Sequence, residues 1–530
     1  MNFTKKLPYF RNLLKVTALT GLLISSSFST ETRRSSSPGR QNKAPVTTAL
    51  FSPHQGEKAF RKIYKSIKEA EKFVYITIYS WSDKDLDKAI KKALLKENRP
   101  SIKVVISPHL WRAKREKLAP RIKELELLGA KFKVAIKDMH EKFTLVDDEK
   151  LVNTSANFSW GARTKYSENF IFHEKGNAHH HPMKLDRLFK QFKLEFEILW
   201  NTGKDIITHD EGISEEMPFT EINAVIGNQT ETNQEVKPNV NFFSSSMNFT
   251  LRKNKEGSKR LLQGRFYSMY RIKDENKEQT WTVRNKLIEL IQNAKKSIHL
   301  NLNHLAIASV SDALIEAIQR GVEVKFVVDN QEFRRKAKKS ALMAKFVKDW
   351  SKLEGNKGKI PPVRVKYYSL SPSPKFWFLN HHKYILIDYH SLGFETKLFS
   401  GSYNISRKAE HNQFDNMVLY SGPEFSKLFT SFFKEFNHIW KLKRPLTRNG
   451  IPKKDLNEKD LLKLIKTEDG KLVIHFKESI SLNWKEITEL RQLFAKEISS
   501  VPNFWQDLRD NKHCQYFVLE TSKFDGCKQK

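Results

Sequence analysis

The chain repeats itself once, at long period, and this limits its possible folds more than any other feature. A strand of period two runs through Val74, Ile76 and Ile78, after Ala70-Glu71-Lys72. A second runs through Ile298, Leu300 and Leu302, after Ala294-Lys295-Lys296, 224 residues later. A helical segment and a short apolar strand follow each, at 85–90 and 103–106, then at 312–318 and 322–328. Each half closes on an aromatic stripe: Phe189, Phe192, Phe196 and Trp200 recur 240 residues on as Phe429, Phe432, Phe436 and Trp440. Spacings of three and four put these rings on one helical face, which reads as core. Strands alternating with helices predict an α/β fold, and the duplication predicts two such domains packed as a pseudo-twofold dimer in one chain.

Polar residues recur in the same register. His140, Lys142 and Asp147 stand in H-x-K-x4-D spacing, and His381, Lys383 and Asp388 repeat it 241 residues later. Ser155 and Asn157 follow the first motif, Ser402 and Asn404 the second. An acid stands eleven residues after each Asn, Glu168 and Asp415. Residues i and i+2 of an extended chain share a face, so each His and Lys reach one cleft together. An imidazole titrating near neutrality serves as nucleophile or acid, and an ammonium beside it stabilises phosphate oxygens. Ser and Asn add neutral donors, and a carboxylate can orient the imidazole through its other nitrogen. One motif would be weak; two in register are not.

These motifs resemble the HxKx4D(x)nGSxN signature of the phospholipase D superfamily, over roughly residues 48–443. Phe51-Ser52-Pro53 and Tyr79-Ser80-Trp81-Ser82-Asp83 are similar to its nuclease and cardiolipin-hydrolase branch. The resemblance implies two α/β/α sandwich domains sharing one active site, with His140, Lys142, Asp147, His381, Lys383 and Asp388 as catalytic residues. One His attacks phosphorus to give a phosphohistidine, and the other protonates the leaving group. The family pattern suggests His140 as nucleophile, but the sequence leaves the two roles open. Ser155, Asn157, Glu168, Ser402, Asn404 and Asp415 are expected to bind substrate phosphate or support the catalytic groups. No metal and no cofactor is expected. Thr154 and Asp415 depart from the pattern, standing where Gly and Glu are usual.

The remaining expectations concern organisation and partners. Residues 1–29 read as a signal-like segment, with Lys5, Lys6, Arg11 and Lys15 before an apolar stretch, which predicts export. The expected plan continues with a linker (30–47), domain 1 (48–203), a polar connector (204–239), domain 2 (240–445) and a C-terminal extension (446–530). The formal net charge is +34, and +27 remains once residues 1–45 are set aside, so anionic partners are favoured. Phospholipid, as headgroup substrate or membrane surface, is the first expectation. Nucleic acid on the same scaffold and phosphatidyl transfer are the alternatives, and a basic binding module with vestigial motifs is the non-enzyme one. Phe376, Trp377 and Phe378, just before His381, form an aromatic cluster suited to a membrane interface, to base stacking or to core packing. His179-His180-His181 reads as a solvated loop, and the run from Arg334 to Lys339 as a basic helix face. Cys514 and Cys527 either close a tail loop in an oxidising compartment or remain thiols. No obligate protein partner is expected; the chain should act as a monomer.

Overall fold

Strand β2 (Phe73–Ile78) shows how the pattern becomes structure: Val74, Ile76 and Ile78 are all fully buried. The computed structural model describes residues 44–176, 183, 185–206, 239–252, 268–271, 282–329, 338–357, 359, 361–367 and 379–441. It also describes four short strands beyond them. The segments 1–29, 179–181, 334–336, 376–378 and both cysteines lie outside the described residues.

The first half runs β1 (Val46–Ser52), α1 (Gly56–Glu69), β2, α2 (Lys84–Leu94), β3 (Ser101–Ile106), α3 (Pro108–Leu127), β4 (Lys131–Val134) and β5 (Asp138–Met139). It continues with β6 (Phe143–Val146), β7 (Lys150–Thr154), α4 (Trp160–Thr164), β8 (Glu168–Glu174), α5 (Asp186–Thr202) and β9 (Lys204–Asp205). The second half runs β10 (Val240–Ser244), β11 (Phe249–Arg252), β12 (Ser268–Arg271), α6 (Thr282–Gln292), β13 (Ser297–Leu302), α7 (Ala308–Gln319), β14 (Glu323–Asp329) and α8 (Lys338–Lys352). Then come β15 (Val363–Tyr367), β16 (Lys383–Ile387), β17 (Lys397–Gly401), α9 (Arg407–His411), β18 (Gln413–Phe414), β19 (Asn416–Ser421) and α10 (Ser426–Lys441). Strands β20 (Ile465–Glu468), β21 (Lys471–His475), β22 (Ile480–Asn483) and β23 (Phe517–Val518) follow.

Helix starts are written locally. Asp83 caps α2 by accepting from the Asp85 N–H, and Ser107 caps α3 by accepting from the His109 N–H, with Pro108 in the first turn.

Two eight-stranded mixed sheets have matching orders: β1-β8-β7-β6-β2-β3-β4-β9 and β10-β19-β17-β16-β13-β14-β15-β22. Strands β2, β3 and β4 are parallel, as are β13, β14 and β15, while the motif strands β6 and β16 run antiparallel to β2 and β13. This α/β fold of two duplicated domains is the one expected. Two details correct the expected plan. Lys204–Asp205, assigned to the connector, pairs with β4. Ile480–Asn483, assigned to the extension, takes the same place beside β15.

Three apolar cores hold the layers. One lies under α1, α2 and α3, one under α6, α7 and α8. The third gathers both aromatic helices between the inner faces of the two sheets. Phe189, Phe192, Phe196, Phe429, Phe432 and Phe436 are each at most 1% exposed there. The stripe that read as core is therefore the packing between the halves. Equivalent positions meet across it: His173 Nε2 lies 3.0 Å from the Tyr420 hydroxyl.

Candidate active site

Each motif histidine stands just ahead of a central strand, His140 before β6 and His381 before β16. Their backbones are stitched to the opposite half. The His140 N–H donates to the Phe414 carbonyl (2.8 Å) and the His381 N–H to the Ser167 carbonyl (2.9 Å). Phe414 and Ser167 immediately precede Asp415 and Glu168. Each half therefore presents its acid to the other half's imidazole. His140 Nδ1 lies 3.0 Å from Asp415 Oδ1 and 3.1 Å from the Ser402 carbonyl, and His381 Nδ1 lies 2.9 Å from both Glu168 oxygens. All of these oxygens are acceptors when the carboxylates are ionised, so Nδ1 carries the proton and Nε2 keeps a free lone pair. The two rings stand 6.1 Å apart at 82°.

The lysines fold back over their own motifs. Lys383 Nζ donates to the His381 carbonyl at 2.7 Å, and Lys142 Nζ donates likewise to that of His140. Both are buried, as are Glu168 and Asp415, while His140 and His381 remain 5% and 8% exposed.

The serines hold the carboxylates. Ser155 Oγ donates to Glu168 at 2.6 Å and accepts from the Asn169 N–H; Ser402 Oγ donates to Asp415 at 2.8 Å and accepts from the Asn416 N–H. The carboxamide oxygens of Asn157 and Asn404 are buried without a partner among the described residues. Thr154, standing where Gly is usual, uses its hydroxyl: it donates to the Asn169 carbonyl (2.7 Å) and accepts from the Ala156 N–H (2.9 Å). Its counterpart Gly401 has no such room, since a Cβ there would lie 2.1 Å from the Asn416 carbonyl oxygen.

Asp147 and Asp388 require a correction, because neither is in the site. Asp147 accepts from the backbone N–H groups of Glu71, Lys72 and Phe73, each at 2.8 Å. Asp388 does the same for Lys295, Lys296 and Ser297 at 2.6–3.1 Å. Both adopt positive φ, 57° and 48°, which Asp tolerates better than most residues. They fasten the start of β2 and β13 to the far end of the motif strand.

Burial, and charge crowding after it, sets the protonation states. Burial, then the Lys142 ammonium, holds the His140 imidazole well below its ordinary range; burial, then Lys383, does the same to His381. Burial lowers Lys383 to about 8 and takes Lys142 well down, with Lys383 as its second cause. Burial also raises the Asp415 carboxyl to about 8, opposed first by Lys142. In the His140–Asp415 pair the imidazole is held neutral by burial first and by the positive charge of the neighbouring lysines second.

Sequence reasoning gave no site role to Tyr79 or His304. The Tyr79 ring stands edge-on to His140, with centroids 4.6 Å apart, and His304 is near enough for its charge to depress His381. Tyr79 follows directly on the buried run of β2, which marked it as a strand-end residue without showing what it touches.

The family model described as cardiolipin synthase, PLD-like domain, matches residues 63–200 and 287–440, one copy per half and more than half of the chain. The chain belongs to the phospholipase D-like family. Members of this family are enzymes that act on phosphodiesters. No curated protein matches this phospholipase D-like chain in sequence. Among solved structures it is similar to Nuc from Salmonella typhimurium, a phospholipase D family member: 21% identity over 31% of this chain and 98% of that one, TM-score 0.26. NucT from Helicobacter pylori gives 15% identity, 31% and 99% coverage and TM-score 0.26. Phosphatidylserine synthase from Haemophilus influenzae Rd KW20 gives 14% identity, 75% and 87% coverage and TM-score 0.49.

Proposed function

We propose that this chain hydrolyses phosphodiesters through a phosphohistidine at one site shared by its two halves. The supporting observation is the crossed anchoring: two imidazoles face each other, and the carboxylate fixing each comes from the opposite half. One Nε2 lone pair attacks phosphorus and the P–O bond to the leaving alcohol breaks. The second histidine, protonated as the anionic substrate adds negative charge, gives its proton to that oxygen. It then takes a proton from water, whose oxygen displaces the first histidine from phosphorus. Lys142 and Lys383 neutralise the non-bridging oxygens, and losing one such preorganised donor costs on the order of 100-fold or more.

Phospholipid headgroup hydrolysis and phosphatidyl transfer use this same intermediate, with water or an alcohol as acceptor. The family description, cardiolipin synthase, supports both. The aromatic cluster and the signal-like segment that also favoured lipid and export lie outside the described residues. A nucleic-acid strand is the second reading, favoured by the surface beside His140.

The test is turnover of choline phospholipid, cardiolipin and a single-stranded oligonucleotide, with bis(p-nitrophenyl) phosphate as small soluble ester, all in EDTA. An acid-labile phosphoenzyme should be trapped, lost in both His140→Ala and His381→Ala. Activity abolished by EDTA and restored by a divalent cation would sink the mechanism.

A further inference from the structure

A twofold site offers a phosphodiester two equal ends unless something beside the reacting groups breaks the symmetry. Tyr79 and Asn303 occupy equivalent positions, each directly after its central strand, β2 or β13. Asn303 is buried and donates to the Asn380 carbonyl at 3.0 Å. Tyr79 is partly exposed: it meets His140 edge-on at 76°, has the Lys142 ammonium 4.9 Å from its centroid and lies parallel to the His109 ring at 5.9 Å and 11°. An aromatic wall therefore stands on the His140 side, and an amide occupies the matching place on the His381 side.

His109 opens helix α3, whose first turns are strongly basic. Arg112, Lys114, Arg115 and Lys117 are exposed, and Glu116 is the single acid between His109 and Lys117. The Arg115 guanidinium sits 5.6 Å from the centroid of the partly exposed Trp111 ring. Arg112 reaches Asp138 at 3.8 Å and remains 74% exposed. Leu110 and Leu118 are buried, so no large aliphatic side chain of this segment faces water. Between His109 and Leu118 the partly exposed Trp111 ring, covered by Arg115, is the one large apolar group a bilayer could take up, whereas a polyanion finds cations along about 12 Å of helix.

We propose that Tyr79 and His109 form a stacking subsite for a base of single-stranded nucleic acid, and that the α3 ridge holds the phosphates that follow. The strand then binds in one direction, although the catalytic groups are nearly symmetric. This inference rests on the phosphodiesterase reading for its chemistry, but it is tested by binding.

Anisotropy with a fluorescent single-stranded oligonucleotide, titrated against salt, reads the ridge. Lys114→Glu/Arg115→Glu/Lys117→Glu should weaken binding and flatten the slope of log affinity against log salt by about 2, since each phosphate contact to a single strand contributes about 0.7. His109→Ala leaves the Ser107 cap intact, because the cap uses the His109 backbone. It should weaken binding on the order of ten-fold for a strand with bases and much less for an abasic strand of equal length. Binding unchanged in both variants overturns the proposal, as does wild-type protein that cleaves anionic phospholipid vesicles and does not bind the oligonucleotide. Equal losses on the oligonucleotide and on bis(p-nitrophenyl) phosphate point to damaged chemistry or fold and also overturn it. Wild-type protein that binds the strand but turns over no ester defeats the phosphodiesterase reading alone.

Discussion

Asp415 and Glu168 differ by one methylene, and the difference shows in what each imidazole meets. Glu168 brings both oxygens to 2.9 Å from His381 Nδ1, whereas Asp415 brings one to His140; each ring also meets a backbone carbonyl, Ser155 for His381 and Ser402 for His140. The His140 side therefore depends on a single carboxyl oxygen reaching over from the other half. Asp415→Asn keeps the shape but cannot ionise, so at and above about pH 8, where the Asp415 carboxyl loses its proton, kcat should fall by roughly 10³–10⁴, the scale of a triad carboxylate. His140→Ala with Asp415→Asn should be no slower than His140→Ala alone, because both act through one imidazole. Additive losses in that kinetic cycle would show Asp415 acting elsewhere. Lysine chemistry sets the pH limit. With Lys383 lowered to about 8 from an ordinary 10.5, its ammonium is lost as pH rises past about 8, and kcat/KM of the free enzyme should fall there. The effect on stability has the opposite sign. Between about 8 and 10.5 the unfolded chain binds more protons at this position than the folded one, so this group's contribution to stability rises with pH. Arginine stays charged throughout, so in Lys383→Arg the fall near pH 8 should vanish from the pH–rate profile, whatever its overall rate. The same inflection in that variant would assign it to another group.

The strand scale separates what the sequence revealed from what it hid. Alternation in β2 and β13, the shared offset of the motifs and the aromatic spacing of α5 and α10 are local patterns, and they led to the two sheets and the buried stripe. The i, i+2 spacing of His and Lys likewise led to one cleft. The partner of each imidazole was hidden, because nothing near His140 in sequence records that Phe414 will pair with its backbone and bring Asp415 along. Asp147 was readable and misread. It stands five residues after Lys142, an odd number along an extended chain, hence on the opposite face and about 16 Å away. Asp147 and Asp388 should therefore act on stability. Replacing either with Ala takes the shared carboxylate from three backbone N–H groups; those of Glu71 and Lys72 can turn to water, so the cost is about 1–3 kcal/mol. Urea denaturation should show that loss, while turnover per folded molecule at low temperature stays within a few-fold of wild type. A collapse in kcat with unchanged denaturation midpoint would return these residues to the catalytic set.

At the scale of the whole molecule the two halves are closed in the same way by unrelated stretches of chain. In the first, Lys204–Asp205 pairs with β4 at the sheet edge; in the second, Ile480–Asn483 reaches back from the extension to pair with β15. The register sets Arg364 opposite Asn483 and Tyr367 opposite Ile480, so four residues of an otherwise open edge are paired. Without that strand the N–H and C=O groups of β15 become a template for another chain. The edge also carries packing, since Val363 is buried in the second half's core and the Arg364 guanidinium stacks 4.1 Å from the Trp440 ring centroid. The site is remote from this edge: β16 is separated from β15 by β13 and β14, about 14 Å at ordinary strand spacing. Ending the chain after residue 446 should thus leave chemistry and lower stability. The truncated protein is expected to unfold at lower urea and to self-associate in light scattering as concentration rises, with kcat on bis(p-nitrophenyl) phosphate near that of the full chain in the monomer fraction. A truncated chain equally stable and monomeric would show that β15 does not need its cover. A monomeric, stable chain that has lost activity would instead place part of the extension at the site.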